Sequence, residues 1–332
     1  MAGPENPEDR LIAKFFKPLA THPGALGLTD DAAFLSAPEG SDLVLKTDAI
    51  VGGEHFFPDD PPGEIARKAL RVNLSDLAAK GAKPLGFLLS LAIPTKIGEE
   101  WLQAFSEGLK VDCEEFSVAL FGGDTCRTSG PVTISVFVLG TVPRRTMPRR
   151  SGAKAGDRVF VSGSIGDGAL GLRLYRDEAL AGRWALSAPE AQHLRSRYRL
   201  PQPRLALADT IREHVSASMD VSDGLAGDLA KLCRVSGVSA EIDAAAVPLS
   251  AGARAALAAD RSLIETILTG GDDFEILCTV PADRAASFVA AAANAGVAVA
   301  DVGRVVPGTL PPILRDGDGK ALTFTRTSFS HF

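Results

Sequence analysis

Apolar positions Ile65, Ala66, Ala69, Leu70, Leu74, Leu77 and Ala78 recur at three- and four-residue steps, which predicts a helix beginning near Pro61 and Pro62 with one stripe facing a core. Proline at its start and Gly81 just past its end are ordinary start and stop chemistry. Asn73, Asp76 and Lys80 lie beside the stripe, and Asp76 falls in the later turns, where a carboxylate opposes the helix dipole. Residues 43–45, 85–93, 117–121, 132–142, 157–161 and 274–280 read as strands, and 11–19, 99–111, 189–198, 204–213 and 281–295 as helices. The first strand ends in Lys46-Thr47-Asp48, and strand 117–121 runs into a turn, Gly122-Gly123-Asp124-Thr125. Ser222 reads as the N-cap of a helix carrying Leu225, Leu229 and Leu232. Loops too short for many parallel crossovers predict α+β or mixed α/β halves without a repeat.

A length of 332 residues predicts two domains of roughly 150 residues each. Arg144, Arg145, Arg149 and Arg150, set among Pro143, Pro148 and Gly152, read as a solvated linker, which places the domains at 1–148 and 149–332. A net charge of −6 offers no basic footprint, so nucleic acid and anionic membrane are not expected partners. Cys113, Cys126, Cys233 and Cys278 form no C-x-x-C pair, which argues against zinc and a disulfide framework and for the reduced thiols of a cytoplasm. No apolar run reaches the ~18 residues that span a bilayer.

The acids add chemistry. Asp31 follows a glycine turn, Asp48 ends a strand, and Asp76 lies beside the helix stripe; Asp124 and Asp272 each follow paired glycines, so both halves hold a Gly-Gly-Asp element. Asp220 and Asp223 flank Ser222, and the flexible stretch Gly52-Gly53-Glu54 leads into His55. Singly, each has a plain structural explanation: turn chemistry, a solvated helix face, or an acid at a helix start. Sharing a site, bare carboxylates would raise one another's pKa, and a divalent cation removes that conflict. Oxygen-only ligation without His or Cys suits magnesium. Magnesium with glycine-rich segments points to phosphoryl transfer. Yet the chain has no G-x-x-x-x-G-K-[ST] loop, no kinase H-R-D set, no nucleophile elbow, and only an incomplete dinucleotide pattern at 162–171. Residue chemistry alone stops at a magnesium- and phosphate-handling enzyme.

The ordered series Gly-Leu-Thr-Asp30-Asp31-Ala-Ala, Lys46-Thr47-Asp48, Gly53-Glu54-His55-Phe56, Asn73-Leu74-Ser75-Asp76-Leu77-Ala78-Ala79, Gly122-Gly123-Asp124-Thr125, Arg150-Ser151-Gly152-Ala153, Asp220-Val221-Ser222-Asp223-Gly224 and Gly270-Gly271-Asp272-Asp273 resembles the thiamine-monophosphate kinase family over nearly the whole chain. The resemblance implies the aminoimidazole ribonucleotide synthetase-like fold, an N-terminal metal- and ATP-binding sheet domain that dimerises and a C-terminal α+β domain. It implies ATP- and magnesium-dependent conversion of thiamine monophosphate to thiamine diphosphate, the substrate phosphate attacking the γ-phosphoryl directly, in a cytoplasmic homodimer. Carried over residue by residue, Asp31, Lys46, Thr47, Asp48, Asp76, Asp124, Asp220 and Asp223 hold several magnesium ions. Asp76 and Asp124 are catalytic; Ser106, Gly123, Asp124, Arg150 and Ser222 touch ATP; His55, Asp272 and Phe329 meet thiamine monophosphate.

This chain departs from the family pattern at named places. Lys46 stands where many members have Ser or Thr, leaving its backbone carbonyl to serve a metal; Asp272 replaces a usual Glu, Cys126 a Thr, Lys80 a Met and Ser106 a Tyr. Superfamily rivals are aminoimidazole ribonucleotide synthetase, selenophosphate synthetase and a hydrogenase-maturation dehydratase. The second would want an early reactive Cys and the third a C-terminal Cys, whereas the first Cys here is Cys113 and the chain ends Ser330-His331-Phe332. A non-catalytic nucleotide-binding regulator is the rival of another class, and turnover under magnesium and ATP separates it.

Overall fold

The computed structural model describes residues 10–329. It divides into two units, one holding the chain through Leu77 and Lys83–Arg145, the other holding Ala78–Ala82 and everything from Thr146 onward.

The first unit is a four-stranded sheet of β1 (Ser41–Val51), β2 (Lys83–Pro94), β3 (Ala119–Thr128) and β4 (Thr133–Pro143), in the order β1-β4-β2-β3. β4 runs antiparallel to both β1 and β2, while β2 and β3 are parallel and joined through a helix, as a parallel pair requires. The helices are α1 (Pro62–Ala79) and α2 (Glu99–Phe116). Every position of the predicted stripe from Ile65 to Ala78 is buried. Burial goes further than the stripe, taking in Lys68, Arg71, Asn73 and Ser75. The polar ones persist because they are paired: the Arg71 guanidinium grips Asp112 of α2 through Nε at 2.7 Å and Nη2 at 2.8 Å.

Three boundaries differ from the sequence pattern. β1 does not end at Asp48, because its ladder with β4 continues to the Val51–Thr133 pair. Gly122-Gly123-Asp124-Thr125 is no turn; it lies within β3, in register with Leu88, Leu89, Ser90 and Leu91 of β2. The N-terminal helix is a short π turn, Ile12–Phe16, running into a 3-10 turn at Lys17–Leu19, where Pro18 has no N–H to continue an α-helix.

The second unit is a six-stranded sheet of β5 (Arg158–Ser162), β6 (Ala217–Val221), β7 (Ser239–Asp243), β8 (Glu275–Val280), β9 (Val299–Val306) and β10 (Ile313–Arg315), in the order β10-β7-β9-β5-β8-β6. Only β10 and β7 pair in parallel, in keeping with short connections. Its principal helices are α3 (Asp167–Arg176), α4 (Ala188–Arg199), α5 (Ala208–His214), α6 (Leu225–Ser236), α7 (Ala251–Ala259), α8 (Leu263–Thr269) and α9 (Ala285–Asn294). Val159 and Val161 enter a core with Leu170, Leu229 and Leu277, while Phe160 between them enters another with Ile276 and Phe288. Period-two alternation therefore covers both faces of this sheet.

Candidate active site

Lys46 and Asp48 are two residues apart on β1, so both side chains lie on one face, and Thr47 between them lies on the other. Asp76 comes to that pair from α1. The Lys46 ammonium bridges the two acids, 3.0 Å from Asp48 Oδ1 and 2.9 Å from Asp76 Oδ2. Burial works to lower its pKa, but attraction to Asp76 and then Asp48 outweighs it and the pKa is raised. Asn73, one turn before Asp76, accepts the Asp48 amide N–H at 2.8 Å and donates to Ala69 O, locking β1 against α1 at this point. The side chain of Thr47 cannot join this group, which leaves its backbone to do so.

Asp31 and Asp124 gather elsewhere in the same unit. They line a cavity of about 550 Å³ together with Phe16, Phe34, Leu88, Phe121, Gly122, Gly123 and Thr125. The ladder relates Ala49, Ser135, Ser90 and Asp124 as successive partners, so Asp124 lies on the sheet face opposite Asp48. Gly123 has a packing reason beyond any ligand: a Cβ there would lie 1.8 Å from the Leu89 carbonyl oxygen. Gly123→Ala is therefore expected to cost roughly 1–3 kcal/mol of stability by overpacking β3 against β2. Denaturant unfolding checks this; unchanged stability with only a raised KM for ATP would return the glycine to phosphate approach.

His55 sits in a turn closed by bonds from its own N–H to Val51 O and from Gly53 N–H to Phe56 O. Its Nδ1 accepts the Val51 amide at 3.1 Å, so the neutral ring carries its proton on Nε2. Ser106 lies on the buried side of α2, donates to Gln103 O within its own helix, and is not among the cavity walls.

In the second unit Asp220 is buried within β6, and Asp223 follows the strand end. Ser222 does not cap α6: Gly224 occupies that place, and the buried carboxylate of Asp228 accepts the N–H groups of Ser222 at 3.0 Å and Asp223 at 2.9 Å. Lys231 pairs with both Asp223 and Asp228. Burial raises the Asp228 pKa. Asp272 is half-buried at a left-handed φ of 69°, and its N–H donates to Ser222 O. Asp and Asn adopt that conformation more readily than longer side chains do, so an Asp suits this position. Asp273 is a brace: its buried carboxylate accepts from Gly166 and Gly168, and burial pushes its pKa well up. Phe329 donates its N–H to Asp223 O, with its ring exposed. Arg150 lies in an exposed 3-10 turn whose carbonyl accepts from Ser236 Oγ.

The structure thus brings together Lys46, Asp48 and Asp76; Asp31 and Asp124; and Ser222, Asp223, Asp272 and Phe329. Among the described residues, no three His, Cys, Asp or Glu side chains converge as a ready-made metal site. Asp48 and Asp76 nonetheless present hard oxygens around a positive charge, and magnesium is commonly held by one or two carboxylates completed by water and substrate phosphate. That donor chemistry fits the ion. Sequence reasoning missed Asp228 and Lys231, whose three-residue spacing on a helix was the available signal.

The model for the N-terminal domain of AIR synthase related proteins matches residues 29–142, and that for their C-terminal domain matches 154–311. The chain is 43% identical over 301 residues to the thiamine-monophosphate kinase of Caulobacter vibrioides, covering 90% of this chain and 83% of that one. It resembles the crystal structure of thiamine-monophosphate kinase from Stenotrophomonas maltophilia K279a at 35% identity and a TM-score of 0.82, over 95% of this chain and 96% of that one. AaThiL complexed with AMPPCP and TMP matches at 30% identity and a TM-score of 0.77, over 98% of this chain and 94% of that one.

Proposed function

We propose a function from the premise that this chain belongs to the thiamine-monophosphate kinase family: it transfers the γ-phosphoryl group of ATP to the phosphate of thiamine monophosphate, giving thiamine diphosphate and ADP. The observation that carries this is the likeness, over 98% of the chain, to a structure complexed with an ATP analogue and TMP. A terminal phosphate oxygen of the acceptor attacks the γ-phosphorus in line, and the ADP oxygen leaves. Asp48 and Asp76, with Asp31, Asp124, Asp220, Asp223 and the backbone at Lys46 and Thr47, would hold magnesium, which would supply positive charge against the charge that builds on the phosphates. Gly123, Arg150, Ser222 and Ser106 are assigned to ATP. The homodimer is proposed on the first sheet, where Leu43, Leu45 and Leu88 are exposed on the face opposite Lys46 and Asp48. No helix among the described residues is long and apolar enough to cross a membrane.

His55 and Asp272 are assigned to the acceptor. His55, neutral or protonated, donates from Nε2 to a phosphate oxygen, and the Asp272 carboxylate suits a cationic thiazolium and a hydrogen-bonding aminopyrimidine better than a triphosphate. A coupled assay with thiamine monophosphate, thiamine and aminoimidazole precursors tests the whole reading. Turnover is expected with the monophosphate and magnesium only; comparable phosphorylation of free thiamine, or none of the monophosphate, overturns it. In the same assay, His55→Ala and Asp272→Ala are expected to raise KM for thiamine monophosphate at least about tenfold, the loss of one charge-assisted hydrogen bond, while KM for ATP stays near wild type. A rise chiefly in the ATP requirement would reverse the assignment of the two substrates. Asp272→Glu is expected to keep substantial activity with a small stability loss from the left-handed backbone.

A further inference from the structure

The Lys46 side chain has no role in the reaction as read above, yet it meets both Asp48 and Asp76. It projects from the same face of β1 as Asp48, and a four-carbon stem lets its ammonium reach across to α1. The two carboxylate oxygens it meets, 3.0 and 2.9 Å away, belong to different elements, so their convergence on one point is a feature of the fold rather than of a local turn. Asn73 fixes that convergence from behind through the Asp48 amide. The Lys46 side chain is 30% exposed, Asp76 16% and Asp48 44%, so bulk water screens the Lys46–Asp76 side of this charge group incompletely. A full divalent ion placed on the same two oxygens would meet a positive charge a few ångströms away.

We propose that the Lys46 ammonium is a resident cation that takes the place of one divalent ion between Asp48 and Asp76, so that this chain binds one metal ion fewer than it would with an uncharged residue there. The inference rests on the magnesium-dependent reading above and deepens it. Lys46 is a positioning residue: it holds both carboxylates in place and supplies part of the positive charge before nucleotide arrives.

The test counts bound ions. Wild type, Lys46→Ser, Lys46→Met and Lys46→Arg are saturated with a non-hydrolysable ATP analogue and titrated with Mn²⁺, the bound fraction being read by electron paramagnetic resonance. Lys46→Ser and Lys46→Met are expected to bind about one more Mn²⁺ per chain than wild type, and Lys46→Arg the same number, because only the first two vacate the charge. Circular dichroism checks folding; the side chain is partly exposed, so neither truncation opens the core, and Met keeps the apolar stem should Ser prove disruptive. Equal counts in all four proteins, with wild type binding at least one ion, overturn this inference and leave the magnesium reading standing. No Mn²⁺ on any of them overturns both. Weaker binding of the nucleotide analogue by Lys46→Ser with an unchanged count would make Lys46 a phosphate contact and also overturn it.

Discussion

Asp76→Asn is expected to lower kcat at saturating substrates by at least about 100-fold, roughly 2.7 kcal/mol of transition-state stabilisation, while the protein stays folded. The amide keeps the size and one oxygen of the carboxylate but not its charge, and charge is what a magnesium ion at the phosphates requires of a ligand. Stability should barely move, for two opposing reasons. An acid late in α1 opposes the helix dipole, so neutralising it relieves a few tenths of a kcal/mol. Against this, the Lys46–Asp76 ion pair is lost, a partly exposed contact worth at most ~1 kcal/mol. Without Lys46, a metal-free cluster of acids would gain stability on losing a member; the ammonium removes that gain. Steady-state turnover and thermal unfolding of metal-free protein decide it together: marked loss of stability with activity retained would make Asp76 a helix residue and nothing more.

The apolar stripe of α1 could be read directly because every one of its positions is buried, and a helix that must bury a face writes its period into the sequence. Predominantly antiparallel sheets followed from short loops in the same way. What the chain hid were features decided by a neighbour distant in sequence. Gly122-Gly123 reads as a turn in isolation, but Gly123 is there because the Leu89 carbonyl leaves no room for a Cβ. β1 runs past Asp48 because β4 supplies partners as far as Thr133. Ser222 has the chemistry of an N-cap, yet Asp228 takes the N–H groups at that corner instead. The candidate site divides likewise. The motifs nominate its acids, but that Lys46 closes on Asp48 and Asp76, while Thr47 faces away, depends on strand parity and on the approach of α1.

Asp112→Ala is expected to show the opposite signature to Asp76→Asn: a large loss of stability with little direct effect on chemistry. Asp112 is fully buried in α2 and accepts from Arg71, which is 1% exposed, and from Arg67 at 2.8 Å. Removing one partner of a buried pair strands the other, at about 3–5 kcal/mol. Glu115, half in solvent and 2.6 Å from Arg71, retains part of the attraction, which sets the expectation near 3 kcal/mol, a fall in Tm of roughly 6–12 °C. Arg71 stands on α1 two residues before Asn73 and five before Asp76, so this pair also fixes the rotation of α1 that aims both toward β1. Well below its melting transition the variant should therefore turn over within several-fold of wild type, with activity vanishing as the temperature approaches Tm. Asp112→Asn, which keeps one acceptor, should fall between. If Asp112→Ala melts with wild type, the α1–α2 pair carries no net stability and the rotation of α1 is set by its apolar stripe alone.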